Sequence, residues 1–242
     1  MIKVFSAFFG LGLLAVAVGS DATAGDVKSP VVVELFTSQG CSSCPPAEAF
    51  LGTLAKQDGV IALEFHVDYW DYIGWKDHFA KPAFTDRQKQ YVRSLKGRYS
   101  YTPQMVIDGK THVVGSNRSE VEDLIRKFQA ERGNGPAIEM SRKGDTLKVH
   151  VGPGKSAAKY EVILVTFDRP HVTEVRRGEN RGKMLTNSNV VREIVSLGAW
   201  DGKAVTFNVS LDSKEGDGGC AILVQKRGPG PVLAAAQMPF ER

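Results

Sequence analysis

The sequence is poor in cysteine, since its 242 residues contain three. A secreted protein held together by disulfides has a larger and even number of cysteines, so this class is excluded. A structural zinc site of the familiar kind repeats its Cys-x-x-Cys pair, and no second copy accompanies Cys41 and Cys44. The three cysteines therefore have to be explained individually.

The sequence also lacks a strong excess of charge and, beyond its first residues, an apolar run long enough to span a bilayer. Its formal net charge of +4 does not favour nucleic acid or a membrane surface as a partner. Phosphate-loop spacing, internal repeats and low-complexity tracts are missing too. We therefore expect a soluble mature protein that binds neither nucleic acid nor membrane.

Residues 1–24 have the pattern of a secretory signal peptide. Lys3 supplies an early positive charge, an apolar stretch covers residues 4–18, and the small-residue site Ala22-Thr23-Ala24 follows. An uncleaved membrane anchor is the alternative, but the apolar stretch is short for a bilayer span. The pattern predicts cleavage after Ala24 and a secreted or periplasmic protein.

The remaining chain changes character near residues 133–136, which read GNGP. Before this point the apolar periodicities predict the order β-α-β-α-β-β-α, and after it they predict about eight short strands and almost no helix. Short strands at regular spacing are typical of a β-sandwich. We therefore predict one domain over residues 28–132 and a second over residues 136–242.

Cys41 and Cys44 lie in the segment QGCSSCPP, between a buried strand and the start of a helix. A structural disulfide would close too small a loop to restrain the unfolded chain much, and metal binding would need further ligands. A redox pair agrees best with the position. The helix N-terminus favours a thiolate on Cys41, and Cys44 lies where it can resolve a mixed disulfide. Such a pair needs no dissociable cofactor.

The segment SYTPQMVIDG places Pro103 at the beginning of a strand, where proline is unusual because it donates no ladder hydrogen bond. A cis Thr102–Pro103 peptide would explain this position, and an ordinary trans turn proline is the alternative.

The order of elements, the Cys-x-x-Cys and the strand-opening proline together resemble the thioredoxin fold over roughly residues 30–130. The resemblance implies that Cys41 is the nucleophile, that Cys44 is the resolving thiol, and that Thr102 with a cis Pro103 binds the substrate polypeptide. Thioredoxins also use an acidic residue in the preceding strand as a proton acceptor. Glu34 lies near that place, although a strand slip of one residue would turn it to the other face.

A more specific resemblance rests on four segments: ELFTSQGCSSCPPAE, HVDYWDYIGWKD, YTPQMVIDG and RGENRGKMLTNSNVVRE. With them the chain resembles a family of exported bacterial proteins described as domain of unknown function 1223. This resemblance spans nearly the whole mature chain. It implies a thioredoxin-like first half and leaves the activity open.

The segment HVDYWDYIGWKDHF, residues 66–79, is unusually aromatic. It either covers the sheet with aromatic rings or forms a wall of the redox site. In the second case Trp70 and Asp68 would contact the substrate, because aromatic rings supply large contact area and strand ends gather ligand sites.

Other residues leave further alternatives open. Cys41, Cys44 and His66 together would suit Cu(I), although His66 could equally be structural. Cys220 begins an apolar strand and is expected to be a buried thiol. Residues 176–193 form a decorated loop, a binding loop of the second domain, or a loop that docks on the redox domain.

The predicted fold class is an α/β thioredoxin-like domain followed by a small all-β, β-sandwich-like domain. The predicted function is that of an exported thiol–disulfide oxidoreductase whose partners are exported protein or peptide thiols and disulfides. The alternative is a binding protein, either a periplasmic copper metallochaperone or a partner-binding scaffold.

Overall fold

The computed structural model describes residue 1 and residues 29–133, 135–155, 158–212 and 214–240. Apart from residue 1, the predicted signal peptide lies outside these residues. Within the described ranges, none of the helices combines the length and the apolar character that crossing a membrane requires.

Helices occur only before residue 132 in the described part of the chain, and strands alone follow. In chain order the elements are β1 (Val31–Thr37), α1 (Pro45–Leu54), β2 (Val60–His66), α2 (Pro82–Ser94), β3 (Gln104–Ile107), β4 (Thr111–Val114), α3 (Arg118–Glu131), β5 (Ile138–Lys143), β6 (Thr146–Val151), β7 (Tyr160–Phe167), β8 (His171–Glu174), β9 (Met184–Asn187), β10 (Val191–Trp200), β11 (Val205–Ser210), β12 (Gly219–Lys226) and β13 (Val232–Pro239).

The first sheet has the strand order β2-β1-β3-β4, with β1 and β2 parallel and β3 antiparallel to β1. Alternate residues of β1 face opposite sides of the sheet, because side chains in a strand alternate. Val31, Val33 and Leu35 pack against α1 and α3, whereas Val32 and Phe36 belong to a separate apolar cluster on the other side. Both sides of β1 are therefore buried.

The second sheet has the order β10-β7-β12-β13 and covers the side of the first sheet that α1 and α3 leave free. Val165 and Leu223 share one core with Phe36 of the first sheet. The neighbouring residues Leu164 and Ile222 face the opposite way, toward the third sheet, whose order is β11-β6-β5. The central strands β7 and β12 of the second sheet are thus buried on both faces.

The predicted fold class is wrong. Strands hold 40% of the described residues and the three helices 19%, and the strands form four separate sheets. The first sheet is packed directly on strands of the second half, so the chain is not an α/β domain followed by a β-sandwich. Local periodicity predicts strands and helices, but it does not say which sheets will share a core. The domain limits 28–132 and 136–242 stay predictions.

The parallel strands β1 and β2 end side by side, with Thr37 paired to His66. The turn that carries Cys41 begins at this edge of the sheet. The segment after β9 also reaches the first sheet, because the amide of Glu64 donates to the carbonyl of Asn189 at 3.1 Å. Elements from both halves therefore meet at the edge where ligand sites gather in sheets with parallel strands.

Candidate redox site at the end of the first sheet

Cys41 and Cys44 form a disulfide, with 5.4 Å between their Cα atoms. Cys44 is the N-cap residue of α1, and Pro45 and Pro46 open the helix, as proline can in a first turn. Both cysteines are fully buried, at 0% exposure, whereas Ser42 between them is exposed. The structure thus brings together the two residues that the sequence predicts as a redox pair.

The turn around the cysteines is ordered by its own backbone. The amide of Cys41 donates to the carbonyl of Ser38 at 3.0 Å, and the amide of Cys44 donates to the carbonyl of Cys41 at 3.2 Å. The Ser43 hydroxyl lies 3.4 Å from the Cys41 sulfur. Because this turn directly precedes α1, the positive end of the helix dipole faces it and favours negative charge there.

Trp70 connects the cysteine turn to the loop before β3. Its indole N–H donates to the Thr102 hydroxyl at 2.8 Å. A Cβ at Gly40 would lie 3.2 Å from the Trp70 Cβ, so Trp70 also packs closely against the residue before Cys41. The Thr102–Pro103 peptide is cis, as the thioredoxin resemblance implies.

Pro103 is tied to the turn that follows β4. Its carbonyl accepts a hydrogen bond from the amide of Gly115 at 2.9 Å. A Cβ at Gly115 would lie 3.1 Å from the Ala47 Cβ, so the chain approaches α1 closely at this glycine. Gly115 therefore places the Pro103 loop beside the helix that follows Cys44.

Asp68 and Glu34 occupy positions that the sequence does not reveal. The Asp68 carboxylate accepts a 2.5 Å hydrogen bond from the hydroxyl of Thr85 in α2. Glu34 accepts two hydrogen bonds from the guanidinium of Arg87, at 2.6 and 2.8 Å, and one from Tyr91 at 2.5 Å. Glu34 thus faces α2, on the side of the sheet opposite Thr37. Its proton-transfer role stays a prediction, and its oxygens are already engaged by donors.

A cluster of buried polar side chains lies where β1, β2 and α1 meet. The Thr37 hydroxyl donates to Glu48 at 2.7 Å, and His66 Nδ1 lies 2.7 Å from Asp77. His66 Nε2 lies 3.5 Å from Glu64. All five residues are almost completely shielded from solvent. The cluster contacts the cysteine turn directly, since the backbone amide of Gln39 donates to Asp77 at 2.8 Å.

The buried charges set the protonation of this cluster. Burial, and after it the neighbouring negative charge of Glu64, raise the pKa of Glu48 to about 8. Burial alone would lower the pKa of His66, but Asp77 and Glu64 raise it well above its ordinary value. Burial alone would raise the pKa of Asp77, whereas His66 lowers it below the ordinary value. A neutral carboxyl at Glu48 therefore lies beside a His66–Asp77 ion pair at neutral pH.

His66 is accordingly a structural member of the cluster in this arrangement, with Asp77 on one ring nitrogen. The predicted Cu(I) alternative with Cys41 and Cys44 stays a prediction. Cys220 is buried and unpaired in β12, as expected, and burial raises the pKa of its thiol to about 12. A thiol of this kind is unreactive at neutral pH.

The segment between β8 and β9 docks on the cysteine turn. The side-chain amide of Asn180 donates to the carbonyls of Gln39 and Cys41, both at 2.9 Å. The Glu179 carboxylate accepts from the amide of Ser42 at 3.2 Å. Of the accounts that the sequence leaves open for residues 176–193, the contacts favour docking on the redox half.

Sequence reasoning missed Glu48, Glu64, Asp77 and Asn180 as members of the site. Two of them carry a visible signal, since Glu48 interrupts the apolar face of α1 and Glu64 interrupts the apolar run of β2. Charged residues at such positions are rarely buried without a partner or a role. Asp77 and Asn180 lie in segments without periodicity, and only the tertiary structure brings them to Gln39.

Comparisons with known proteins agree with this geometry. A family model described as "Protein of unknown function (DUF1223)" matches residues 32–225. A protein of Archaeoglobus fulgidus named "Probable Thioredoxin" is 30% identical over 100 residues, which cover 41% of this chain and 90% of that protein. The Cys41–Cys44 disulfide and this similarity fit a thiol–disulfide role.

Two solved structures are similar over most of the chain. The crystal structure of protein AGR_C_4864 from Agrobacterium tumefaciens has a TM-score of 0.76 and 32% identity, covering 88% of this chain and 97% of that one. HBP35 of Porphyromonas gingivalis has a TM-score of 0.64 and 15% identity, covering 89% of this chain and 76% of that one. The second likeness concerns the fold alone.

Proposed function

The chain belongs to the family described as protein of unknown function (DUF1223), and we propose that it is a thiol–disulfide oxidoreductase that uses the Cys41–Cys44 pair. The observation that carries the proposal is the position of this disulfide. It lies in the turn between the carboxyl end of a parallel strand and a helix N-terminus. The helix dipole at such a turn stabilises a thiolate, which is the reactive form of cysteine.

The exchange proceeds through a mixed disulfide and moves two electrons. The Cys41 thiolate attacks one sulfur of a substrate disulfide, a bond forms between these two sulfurs, and the substrate bond breaks with its electron pair on the leaving sulfur. The thiolate of Cys44 then attacks Cys41, and the second substrate sulfur leaves. The protein dithiol is oxidised, the substrate disulfide is reduced to a dithiol, and the two protons of the protein thiols end on the substrate. The reverse sequence oxidises a substrate dithiol.

Glu48 is proposed as the group that handles the proton of Cys44. It lies one turn after Cys44 in α1, and residues four apart are neighbours on a helix surface. Its Oε1 accepts from Thr37, while its buried Oε2 has no partner among the described residues. A carboxyl with a pKa of about 8 can accept or supply a proton near neutral pH, when Cys44 changes between thiol and disulfide.

The proposed substrates are thiols and disulfides of exported proteins or peptides, and the proposed location is secreted or periplasmic. The leader pattern of residues 1–24 supports export. The Trp70–Thr102 hydrogen bond supports a substrate-binding role for the loop before β3, because it fixes this loop beside the cysteine turn. We propose no dissociable cofactor, since the exchange requires only the two thiols.

Reduction of a protein disulfide, such as those of insulin, by dithiothreitol tests the proposal. The wild-type protein is expected to accelerate the reaction, and the Cys41→Ser variant to lose this acceleration. Cys44→Ser should accumulate a mixed disulfide, visible by mass spectrometry without reductant. Cys220→Ala is the matched control, because this cysteine is buried and unpaired. Equal rates for the wild type and Cys41→Ser would refute the enzymatic proposal and favour a binding scaffold.

A further inference from the structure

The segment from residue 176 to residue 183 is built to lie against the cysteine turn. Asn180 is fully buried, at 0% exposure. Both N–H groups of its amide donate to carbonyls of the turn, and its oxygen accepts from Lys183 at 2.9 Å. Every donor of this side chain is therefore satisfied by the contact, which makes the contact specific.

Glycine allows this close approach. Gly178 has a φ of +74°, which other residues rarely adopt, and a Cβ there would lie 3.3 Å from the Trp75 Cβ. Trp75 in turn donates from its indole N–H to the Gln39 side chain at 3.1 Å. The segment is therefore fixed on the redox half both at Gly178 and at Asn180.

Glu179 lies between these two anchors and brings a negative charge to the turn. Its carboxylate accepts from the amide of Ser42, the residue directly after Cys41, at 3.2 Å. The amide of Cys44 is already bonded to the carbonyl of Cys41. The amides of Ser42 and Cys44, in the turn before α1, thus already have acceptors before any thiolate forms.

We propose that Glu179 is a positioning residue that lowers the reduction potential of the Cys41–Cys44 pair, and that Asn180 holds it in place. The inference rests on the proposed function and adds a role for the C-terminal half. When a dithiol reduces the pair, two electrons enter the disulfide, the sulfur–sulfur bond breaks, and the donor becomes a disulfide. Negative charge then develops on Cys41, where Glu179 repels it and occupies an amide that would stabilise it.

The variant Glu179→Gln isolates this effect, because it removes the charge and keeps an oxygen that can accept from Ser42. The side chain is exposed, so the variant should fold normally. Glu174→Gln is the matched control, since Glu174 belongs to the same hairpin and pairs with Arg176 at 3.2 Å. Both proteins are equilibrated with glutathione buffers at low ionic strength, and the fraction of free thiol is measured.

We expect Glu179→Gln to shift the equilibrium constant with glutathione toward the dithiol by about twofold to fivefold, the size of a charge effect at a helix terminus. A fivefold change corresponds to about 20 mV. In the reduced variant, iodoacetamide should also alkylate Cys41 faster below neutral pH. The difference should shrink at high salt, because exposed charges are screened. Glu174→Gln should match the wild type.

The outcomes separate this inference from the proposed function. If the wild-type pair titrates reversibly and Glu179→Gln titrates identically, or shifts no more than Glu174→Gln, the inference is wrong and the oxidoreductase proposal stands. If the wild-type pair shows no reversible transition at all, the proposed function fails with it. A shift toward the disulfide in Glu179→Gln would also overturn the inference, since its sign is opposite.

Discussion

The hydroxyl of Thr37 donates a 2.7 Å hydrogen bond to Glu48 Oε1, which links the end of β1 to the first turn of α1. This contact places a buried carboxyl one helical turn after Cys44. The carboxyl lies beside the His66–Asp77 ion pair and keeps its proton up to about pH 8. The edge of the first sheet thus combines a disulfide with a group that can exchange a proton near neutral pH.

Replacing Glu48 by glutamine should change how stability depends on pH. Between the ordinary pKa of 4.5 and about 8, the folded protein keeps the Glu48 proton that the unfolded chain releases. Raising the pH through this window therefore lowers the free energy of unfolding, and Glu48→Gln should lack this loss. Urea unfolding of both proteins at several pH values measures the difference.

The control for this prediction is Glu122→Gln on the exposed face of α3. It should follow the wild-type pH dependence. The prediction would be contradicted if the wild type and Glu48→Gln lost stability in parallel over this pH range. Glu48→Gln should also slow disulfide exchange near neutral pH if Glu48 handles the proton of Cys44.

Replacing Glu34 by glutamine should reduce stability more than activity. The carboxylate is paired with the buried guanidinium of Arg87, and its loss leaves that charge unpaired. We expect a loss of about 3–5 kcal/mol in the free energy of unfolding, typical of a broken buried ion pair. The rate of disulfide exchange per folded molecule should stay unchanged, because Glu34 lies on the α2 side of the sheet and Thr37 on the opposite side.

Tyr91→Phe is the comparison variant and should lose less stability, since it removes one hydrogen-bond donor to Glu34 and keeps the ring. Insulin reduction by the folded fraction of each variant gives the rate. A Glu34→Gln protein that is stable but slow would support the proton-transfer role that the sequence suggests for this residue.

Replacing Trp70 by phenylalanine should weaken substrate binding. The ring would still pack near Gly40, but the 2.8 Å hydrogen bond to Thr102 would be lost. A single hydrogen bond contributes about 1 kcal/mol, so we expect KM for a peptide disulfide to rise about fivefold with little change in kcat. Thr102→Val removes the same bond from the other side and should reproduce the effect. An unchanged KM in both variants would show that the loop does not contact the substrate.

Replacing Asn180 by alanine should destabilise the protein. The change removes the donor of the Gln39 carbonyl and leaves the Cys41 carbonyl with the Cys44 amide alone, in a site that excludes water. Groups of this kind cost about 1–3 kcal/mol when they lose their partners. Urea unfolding, with exposed Asn208→Ala as the control, measures the loss. Equal midpoints for Asn180→Ala and Asn208→Ala would show that the docking contact contributes nothing.

Local features of the site could be predicted from the sequence because neighbouring residues determine them. Cys41 and Cys44 lie three positions apart between a strand and Pro45, so their pairing needs only one turn of chain. The cis peptide before Pro103 was one of two alternatives that the position of this proline left open, and the thioredoxin resemblance implied it.

The arrangement of the sheets could not be predicted in the same way. Strands β7 and β12 are continuous apolar runs, and this pattern indicates burial on both faces without naming the neighbours. The assumption of a separate sandwich therefore failed, because one face of these strands packs on the first sheet. Asn180 was missed for a related reason, since it is far in sequence from the carbonyls that it binds.

The central claim is tested most directly by the reduction potential of the Cys41–Cys44 pair in the purified protein. Equilibration with glutathione buffers and counting of free thiols give this value. We predict a reversible transition within the range of known oxidoreductases, roughly −270 to −120 mV. A pair that remains oxidised well below about −300 mV, as structural disulfides do, would contradict the account.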